Sequence, residues 1–372
     1  MNVRLIDLEN KSDINKFIQL PFDLYRNNSC WVPQMRSDTR FVLDRSSYPF
    51  YKHSAADFFI AEEDGKTLGR IGSISNSRFN KTNNRNTAFF YFFESVDDTA
   101  ISNALFKAVF NWARDRGHDH VYGPKGLLQG DGIGLLVEGF DQIPAVGISY
   151  NFPYYDRLVK NAGFHKNFDY YSGYLDTTVG LSEKVKRVAE KVKERSGFWV
   201  RKFKSKEELL AIAPELRLVY NSAFSGSEGF SPITEDEITL IAKRMLSIAD
   251  PRLIKLVYKE DQIIGFLFSY PNISRGLQKT NGRLFPFGWF HIWREFKTTK
   301  YMDTNGIGII PEYHGLGPTA VIYTELEKTF REFNFDFVET VQTREDNIAS
   351  LGESSHFVMN WTKTHRVYEM DL

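Results

Sequence analysis

The period of the apolar positions along this chain changes many times, and the changes come in the same order twice. From Phe58 to Ile74, apolar and polar residues alternate through two short runs with Asp64-Gly65 between them, which predicts a β-hairpin. An aromatic strand follows over 88–94, then a helix over 100–116 closed by Gly117, then a strand over 120–123. The helix carries Ile101, Leu105, Ala108, Val109 and Trp112 on one stripe. After an insertion, 154–162 reads as a helix leading through Gly163-Phe164 into a further strand.

The second half repeats the plan. Runs over 253–258 and 263–269 flank Glu260-Asp261 as a second hairpin, and Asn76 and Asn272 close equivalent strands. A strand over 306–310, a helix over 318–333, a strand over 335–341, a short helix near 347–355 and strands ending in Arg366-Val-Tyr-Glu369 complete it. Between the halves, Leu181, Val185, Val188 and Val192 recur at helical spacing and predict a linking helix. Its six cations, Lys184 to Arg195, alternate with Glu183, Glu190 and Glu194, the pattern of a solvated face, with anionic lipid as the alternative contact. The order predicts an α/β (α+β) chain of two tandem domains, each a mixed, mostly antiparallel sheet flanked by helices. The boundaries read as 1–180, a linking helix over 181–196, and 197–372.

Candidate chemistry concentrates in Gly306-Ile-Gly-Ile-Ile-Pro-Glu-Tyr-His-Gly-Leu-Gly-Pro-Thr-Ala320. A buried strand stops at Pro311, and Gly315 and Gly317 let the backbone approach a ligand closely. Val321, Ile322 and Leu326 then set a helix whose first amides have no partner within it and so suit a phosphate. The corresponding place in the first half reads Glu94-Ser-Val-Asp-Asp-Thr-Ala100, whose aspartates cap a helix and repel a diphosphate. The C-terminal half is therefore expected to bind the anion and the N-terminal half to shape an acceptor site.

Pro311–Ala320 resembles the pyrophosphate loop of the GNAT superfamily, the acyl-CoA-dependent N-acyltransferases. His314 stands where Gln or Arg is usual, Gly317 fits, and Thr319 replaces the last small residue. The resemblance implies two tandem GNAT-like domains, acetyl-CoA or a longer acyl-CoA as co-substrate, an amine acceptor and no metal. It makes His314, Gly315, Leu316, Gly317, Pro318 and Thr319 the diphosphate cradle, and Asn347 the asparagine that opens the next helix. The tyrosine that often follows has no counterpart between Leu351 and Phe357. Gly123-Pro-Lys-Gly126, the run from Gly130 to Asp141, Tyr150-Asn-Phe-Pro-Tyr-Tyr155 and the run from Phe230 to Glu237 are similar to a narrower tandem-GNAT family. That family includes bacterial ceramide synthases, which implies a long-chain amino lipid, sphingoid-base-like, as one acceptor. A small-molecule or protein N-acetyltransferase, and a catalytically silent acyl-CoA-binding sensor, are the alternatives.

Amine acylation needs a proton acceptor and a backbone donor for the carbonyl oxygen. Glu94, ending an aromatic strand, and Asp303, just before the CoA strand, are the candidate bases; His291 and Glu295 in the aromatic segment are alternatives. The amides of Ile309 and Ile310 are the candidate donors, and Asn151, Tyr154, Tyr155 and His291 the candidate acceptor contacts. Gly130, Gly132 and Gly134 imitate a nucleotide loop, yet no phosphate-binding lysine follows them.

Composition narrows the partners. The 372 residues balance 47 basic against 47 acidic side chains, which removes the long-range attraction nucleic-acid binders use. One cysteine, Cys30, suits a cytoplasmic chain, and Arg4, Asp7 and Glu9 do not form a secretory signal. No run of some eighteen apolar residues spans a bilayer. Aromatic content is high at 15%, grouped at 89–93, 150–155 and 285–293. Such groups pack sheets, line an apolar pocket or dip into a bilayer, so peripheral contact at the inner face of the membrane is one expectation.

Overall fold

The computed structural model describes residues 1–227, 229–347 and 359–372. In chain order the elements are β1 (Asn2–Leu5), α1 (Lys11–Leu24), α2 (Arg36–Leu43), β2 (Ala55–Glu63), β3 (Lys66–Ser75), α3 (Ser77–Asn83), β4 (Thr87–Ser95), α4 (Thr99–Asp115), β5 (His120–Gly123), β6 (Leu135–Glu138), α5 (Tyr154–Asn161) and β7 (His165–Asp176). They continue with α6 (Glu183–Ser196), β8 (Phe198–Arg201), α7 (Lys206–Ala211), α8 (Ala213–Phe224), α9 (Glu235–Ile248), β9 (Lys255–Lys259), β10 (Gln262–Pro271), α10 (Ser274–Thr280), α11 (Gly288–Thr298), β11 (Tyr301–Ile309), α12 (Pro318–Phe333), β12 (Phe337–Arg344) and β13 (Met359–Asp371). Asp64 and Gly65 both take positive φ, 48° and 76°, the twist that a two-residue hairpin loop needs. The short helix expected near 347–355 lies outside the described residues apart from Asn347.

Two compact units form. The first is Met1–Tyr170 with Ser274–Arg294 and Lys363–Leu372; the second is Tyr171–Ile273 with Glu295–Thr362. This division differs from the boundaries read in sequence, because β7, α11 and β13 each contribute to both units. A late strand that returns to an early sheet leaves no mark on local periodicity. In the first unit the strand order is β1-β2-β3-β4-β5-β13, with β6 also on β13. Among the described residues its strand pairs are antiparallel except β4 with β5. In the second unit β8-β9-β10-β11-β12 run in order, antiparallel except β11 with β12.

Both units carry the same irregularity at the same place. Between Arg70↔Glu94 and Gly72↔Tyr91, β4 holds one residue more than β3, and Phe92 takes φ 53°. Between Leu267↔Ile307 and Ser269↔Thr304, β11 holds one more than β10, and Gly306 takes φ 103°. Each is a bulge that re-aims the strand end beyond it. The parallel partner is lost as well: β4 pairs with β5 only over 87–89, and β11 with β12 only over 301–304.

The aromatic cluster at 89–93 is interior, as strand packing requires. Phe90 and Phe93 meet Phe106 of α4 at ring-centroid distances of 5.2 and 4.7 Å, and Phe164 joins them. The linking helix α6 stands in the second unit: it buries Ala189, holds Val192 against Gly317, and keeps Lys184, Arg187, Lys191 and Arg195 exposed. Phe106 is fully buried at the centre of the first unit's core. Phe106→Ala is expected to cost about 3–5 kcal/mol, read as a lowered urea midpoint with an unchanged slope.

Candidate functional site

The second unit's site starts where β11 loses its neighbour. Past Thr304, among the described residues, the strand is paired on one edge only, with β10. Ile310 donates its amide to Ile264 O at 2.9 Å, so the alternation of an antiparallel pair turns the amide of Ile309 to the edge that β12 has left. Of the two donors expected from sequence, Ile310 is therefore engaged and Ile309 is the open one. His314 turns back, its Nε2 lying 2.8 Å from Ile309 O, and so ties the loop to the strand end.

Beyond it the backbone bends through Gly315 at φ 75° and Gly317 at φ 88°, and α12 begins with no side chain capping it. Among the described residues, the amides of Gly315, Gly317 and Thr319 donate to no group. A Cβ on Gly317 would lie 2.7 Å from Val192 Cγ2, so glycine is required there by space as well as by φ. Pro318 is buried at N1, where its missing N–H costs nothing. His314, Gly315 and Leu316 are exposed, so the amides meet solvent. Three free donors and a helix dipole equivalent to about half a positive charge have the chemistry an anion needs.

The first unit closes the equivalent end itself. Asp98 Oδ1 accepts from Ala100 N at 2.7 Å and Ile101 N at 3.3 Å, and Asp97 pairs with Arg157. An internal carboxylate already fills the place an anion would take.

What the first unit offers instead is a polar cluster on Glu94. The phenols of Tyr25 and Tyr155 each donate to Glu94 Oε2 at 2.7 Å. Arg70, opposite Glu94 on β3, brings Nη2 within 3.7 Å of Oε1 and donates from Nη1 to Phe17 O at 2.8 Å. Its guanidinium lies over the rings of Phe17 and Phe92. Tyr25 is stacked against Trp31 and Phe152, and Tyr155 also accepts from Ser95 N at 3.2 Å. Burial raises the Glu94 pKa, with Arg70 and the two phenols pulling against it. Burial and the neighbouring carboxylate raise both tyrosines. The Glu94 side chain keeps 13% of its surface exposed. Tyr25 and Arg70 are not singled out by the sequence; the one available signal is an arginine in the middle of a predicted hairpin strand.

The remaining candidates fall elsewhere. Tyr154 donates to Ser95 O at 2.8 Å and so borders the cluster. Asn151 is buried and spends its amide on Leu136 O, Phe152 O and Leu136 N, which fixes β6 and leaves no donor for a substrate. Asp303 is fully enclosed, accepts from Asn272 Nδ2 at 2.8 Å and sits opposite Glu339 in the β11–β12 register. Tyr174 and Tyr270 have pKa values raised by burial first, with those carboxylates adding to it. His291 lies on α11 in ring contact with Phe290. Asn347 donates its backbone amide to Arg344 O at 3.0 Å, and the helix expected after it lies outside the described residues. The 130–134 glycines make a close-packed turn: Gly126 N donates to Gly132 O, and a Cβ on Gly132 would meet Ser149 Oγ at 2.6 Å.

Known proteins are similar to this chain in sequence or in fold. No family model matches the chain. It is 28% identical over 378 residues to the bacterial ceramide synthase of Caulobacter vibrioides (strain NA1000 / CB15N), covering 100% of this chain and 98% of that protein. It is 25% identical over 371 residues to protein YghO of Escherichia coli (strain K12), covering 98% and 94%. Among solved structures, a tandem GNAT protein from the clavulanic acid biosynthesis pathway matches with a TM-score of 0.57 and 10% identity, over 100% of this chain and 98% of that one. A GCN5-related N-acetyltransferase from Sphaerobacter thermophilus matches with a TM-score of 0.52 and 12% identity, over 100% and 95%. The repeated bulge, the parted parallel strands and these likenesses agree: the chain is a tandem protein of GNAT fold that resembles the bacterial ceramide synthases along its whole length.

Proposed function

We propose that this protein is an N-acyltransferase that moves an acyl group from a coenzyme A thioester to an amine, with a long-chain amino lipid as acceptor. The observation that carries the proposal is the contrast between two equivalent helix starts. One is filled by Asp98; the other presents three free amides beside a strand that has lost its neighbour. Full-length likeness to a protein named a ceramide synthase supports the amino lipid. In this reading the second unit holds the acyl-CoA and the first receives the amine. The enzyme works as a cytoplasmic protein in peripheral contact with the membrane's inner face, where such an acceptor resides.

The reaction joins the amine nitrogen to the thioester carbonyl carbon and breaks the carbon–sulfur bond, releasing CoA as a thiol. The nitrogen sheds a proton, so a base is required. Glu94 fits that role better than Asp303. Its side chain is part exposed, and burial raises its pKa toward working pH, whereas Asp303 is enclosed beside a second carboxylate. The open amide of Ile309 is the donor suited to negative charge growing on the carbonyl oxygen.

Several outcomes follow. Activity is expected to climb with acyl length, since each methylene moved from water into an apolar site contributes up to about 0.8 kcal/mol. A flat series from acetyl to palmitoyl would instead assign the protein to small-amine or protein acetylation. Acyl-CoA binding without thiol release over an amine panel would assign it to sensing.

Thr319→Glu puts an acid in the first turn of α12, which favours the helix and repels a diphosphate. Its melting temperature should hold or rise while CoA affinity by calorimetry falls at least about tenfold. Glu94→Gln should lower kcat/KM by about 10²–10⁴ with CoA affinity retained.

The pH profile gives a sign. The base acts deprotonated, so activity rises as pH passes the Glu94 pKa, above the ordinary glutamate range. The Tyr25 hydrogen bond stabilises the carboxylate and lowers that pKa; Tyr25→Phe should therefore move the rising limb to higher pH.

A further inference from the structure

We propose that the segment from Arg283 to Arg294 is a docking element that seats the first unit on the surface of an anionic lipid bilayer. It extends the functional reading above by naming where the chain meets lipid, and it is tested without any turnover.

The first unit packs most of its large apolar side chains inside, but not here. Leu284, Phe285, Phe287, Trp289, Phe290 and Trp293 are all exposed within ten residues, Phe285 and Phe287 most of all at 75% and 71%. The two other aromatic clusters contrast with it: 89–93 is core, and Tyr150 and Tyr155 pack on Tyr25. Burial in the fold thus accounts for those two and not for this one.

Charge names the occupant. From Ser274 to Arg294 the chain has no aspartate or glutamate, while Arg275, Lys279, Arg283 and Arg294 are exposed. A chain of formal net charge zero therefore carries a wholly basic stretch at the place where its aromatics face out. Phe and Trp side chains flanked by arginines match a headgroup boundary, where rings enter the acyl edge and guanidiniums reach the phosphates. No helix among the described residues is long and apolar enough to cross a membrane, so the contact is a surface one.

The element is held out rather than folded down. At its base Gly282 lies under the Phe22 ring, where a Cβ would meet Phe22 Cζ at 2.5 Å, and its carbonyl accepts from Arg36 N at 2.9 Å. Gln278 Nε2 donates to Ser29 O at 2.8 Å and Trp31 O at 3.1 Å, and Ser274 Oγ to Pro144 O at 2.8 Å. Trp289 Nε1 donates to Pro286 O at 3.0 Å, and Phe290 stacks on Trp293. The tip is thus built, with its rings set before any lipid arrives.

The test is co-sedimentation of the full chain with vesicles of phosphatidylcholine alone and with phosphatidylglycerol added. Binding is expected to need the anionic lipid, to weaken in high salt, and to shift tryptophan emission to the blue. Phe285→Ser with Phe287→Ser should lower partitioning at least about tenfold. Lys279→Ala and Arg283→Ala should each lower it about fivefold. Circular dichroism melts establish that each variant folds. Absence of vesicle binding by the wild-type chain, or unchanged binding by the folded variants, overturns the proposal. So does a dimer in solution that the phenylalanine variants dissociate, since the face would then belong to a second copy. Vesicle binding in a chain that shows no acyl transfer would uphold this inference while ending the functional one.

Discussion

Backbone amides that no carbonyl takes up are the constraint on which the rest of this structure turns. Folded chains pair nearly all of their peptide donors, and an exception has to be open to water or to a ligand. Here the bulge at Gly306 re-aims β11, β12 pairs with it only as far as Thr304, and Gly315 and Gly317 bend the chain into a helix that no side chain caps. Among the described residues, the parted strands and the uncapped turn leave the amides of Ile309, Gly315, Gly317 and Thr319 uncommitted. Their concentration within about a dozen residues makes the local energetics those of an anion receptor.

The first unit shows the same architecture with the receptor cancelled. It keeps the hairpin, the bulge and the parted parallel strands, but Asp98 supplies the anion internally. Freed from that role, its strand end carries Glu94 among two phenols and a buried arginine. Such a cluster is costly unless every member has a partner, because charges in low dielectric are strongly destabilised alone. The hydrogen bonds found there give both phenols, the carboxylate and Arg70 Nη1 a partner, leave Arg70 Nε without one, and keep part of the carboxylate accessible. One plan thus yields open amides at a helix start in one unit and a partly exposed carboxylate among phenols in the other.

Much of this was legible in the sequence, and what was not has physical reasons. The hairpin turn at Asp64-Gly65, the bounds of α12 and the capping by Asp98 all rest on chemistry local to a few residues, and all appear in the structure. The start of β11 at Tyr301 was hidden because Asp303, Thr304 and Asn305 interrupt the apolar pattern, although Asp303 is wholly enclosed. The return of β13 to β5, and the meeting of Tyr25 with Glu94 and Tyr155, join residues far apart in the chain, and no periodicity encodes a partner at that distance. Asn151 is a candidate acceptor contact in sequence, yet its amide serves the backbone of β6. The aromatic groups looked alike in sequence; only burial separates the core at 89–93 from the exposed rings at 284–293.

In the proposed function the free amides before and within the first turn of α12 grip a diphosphate. Amide NMR of the isotopically labelled full chain, titrated with coenzyme A, reads those groups one by one. The Gly315, Gly317 and Thr319 resonances are expected to move downfield and saturate together, while Ala100 and Ile101, already bound to Asp98, stay in place. Saturable shifts at Ala100 and Ile101 instead, or a silent loop at saturating coenzyme A, would contradict it.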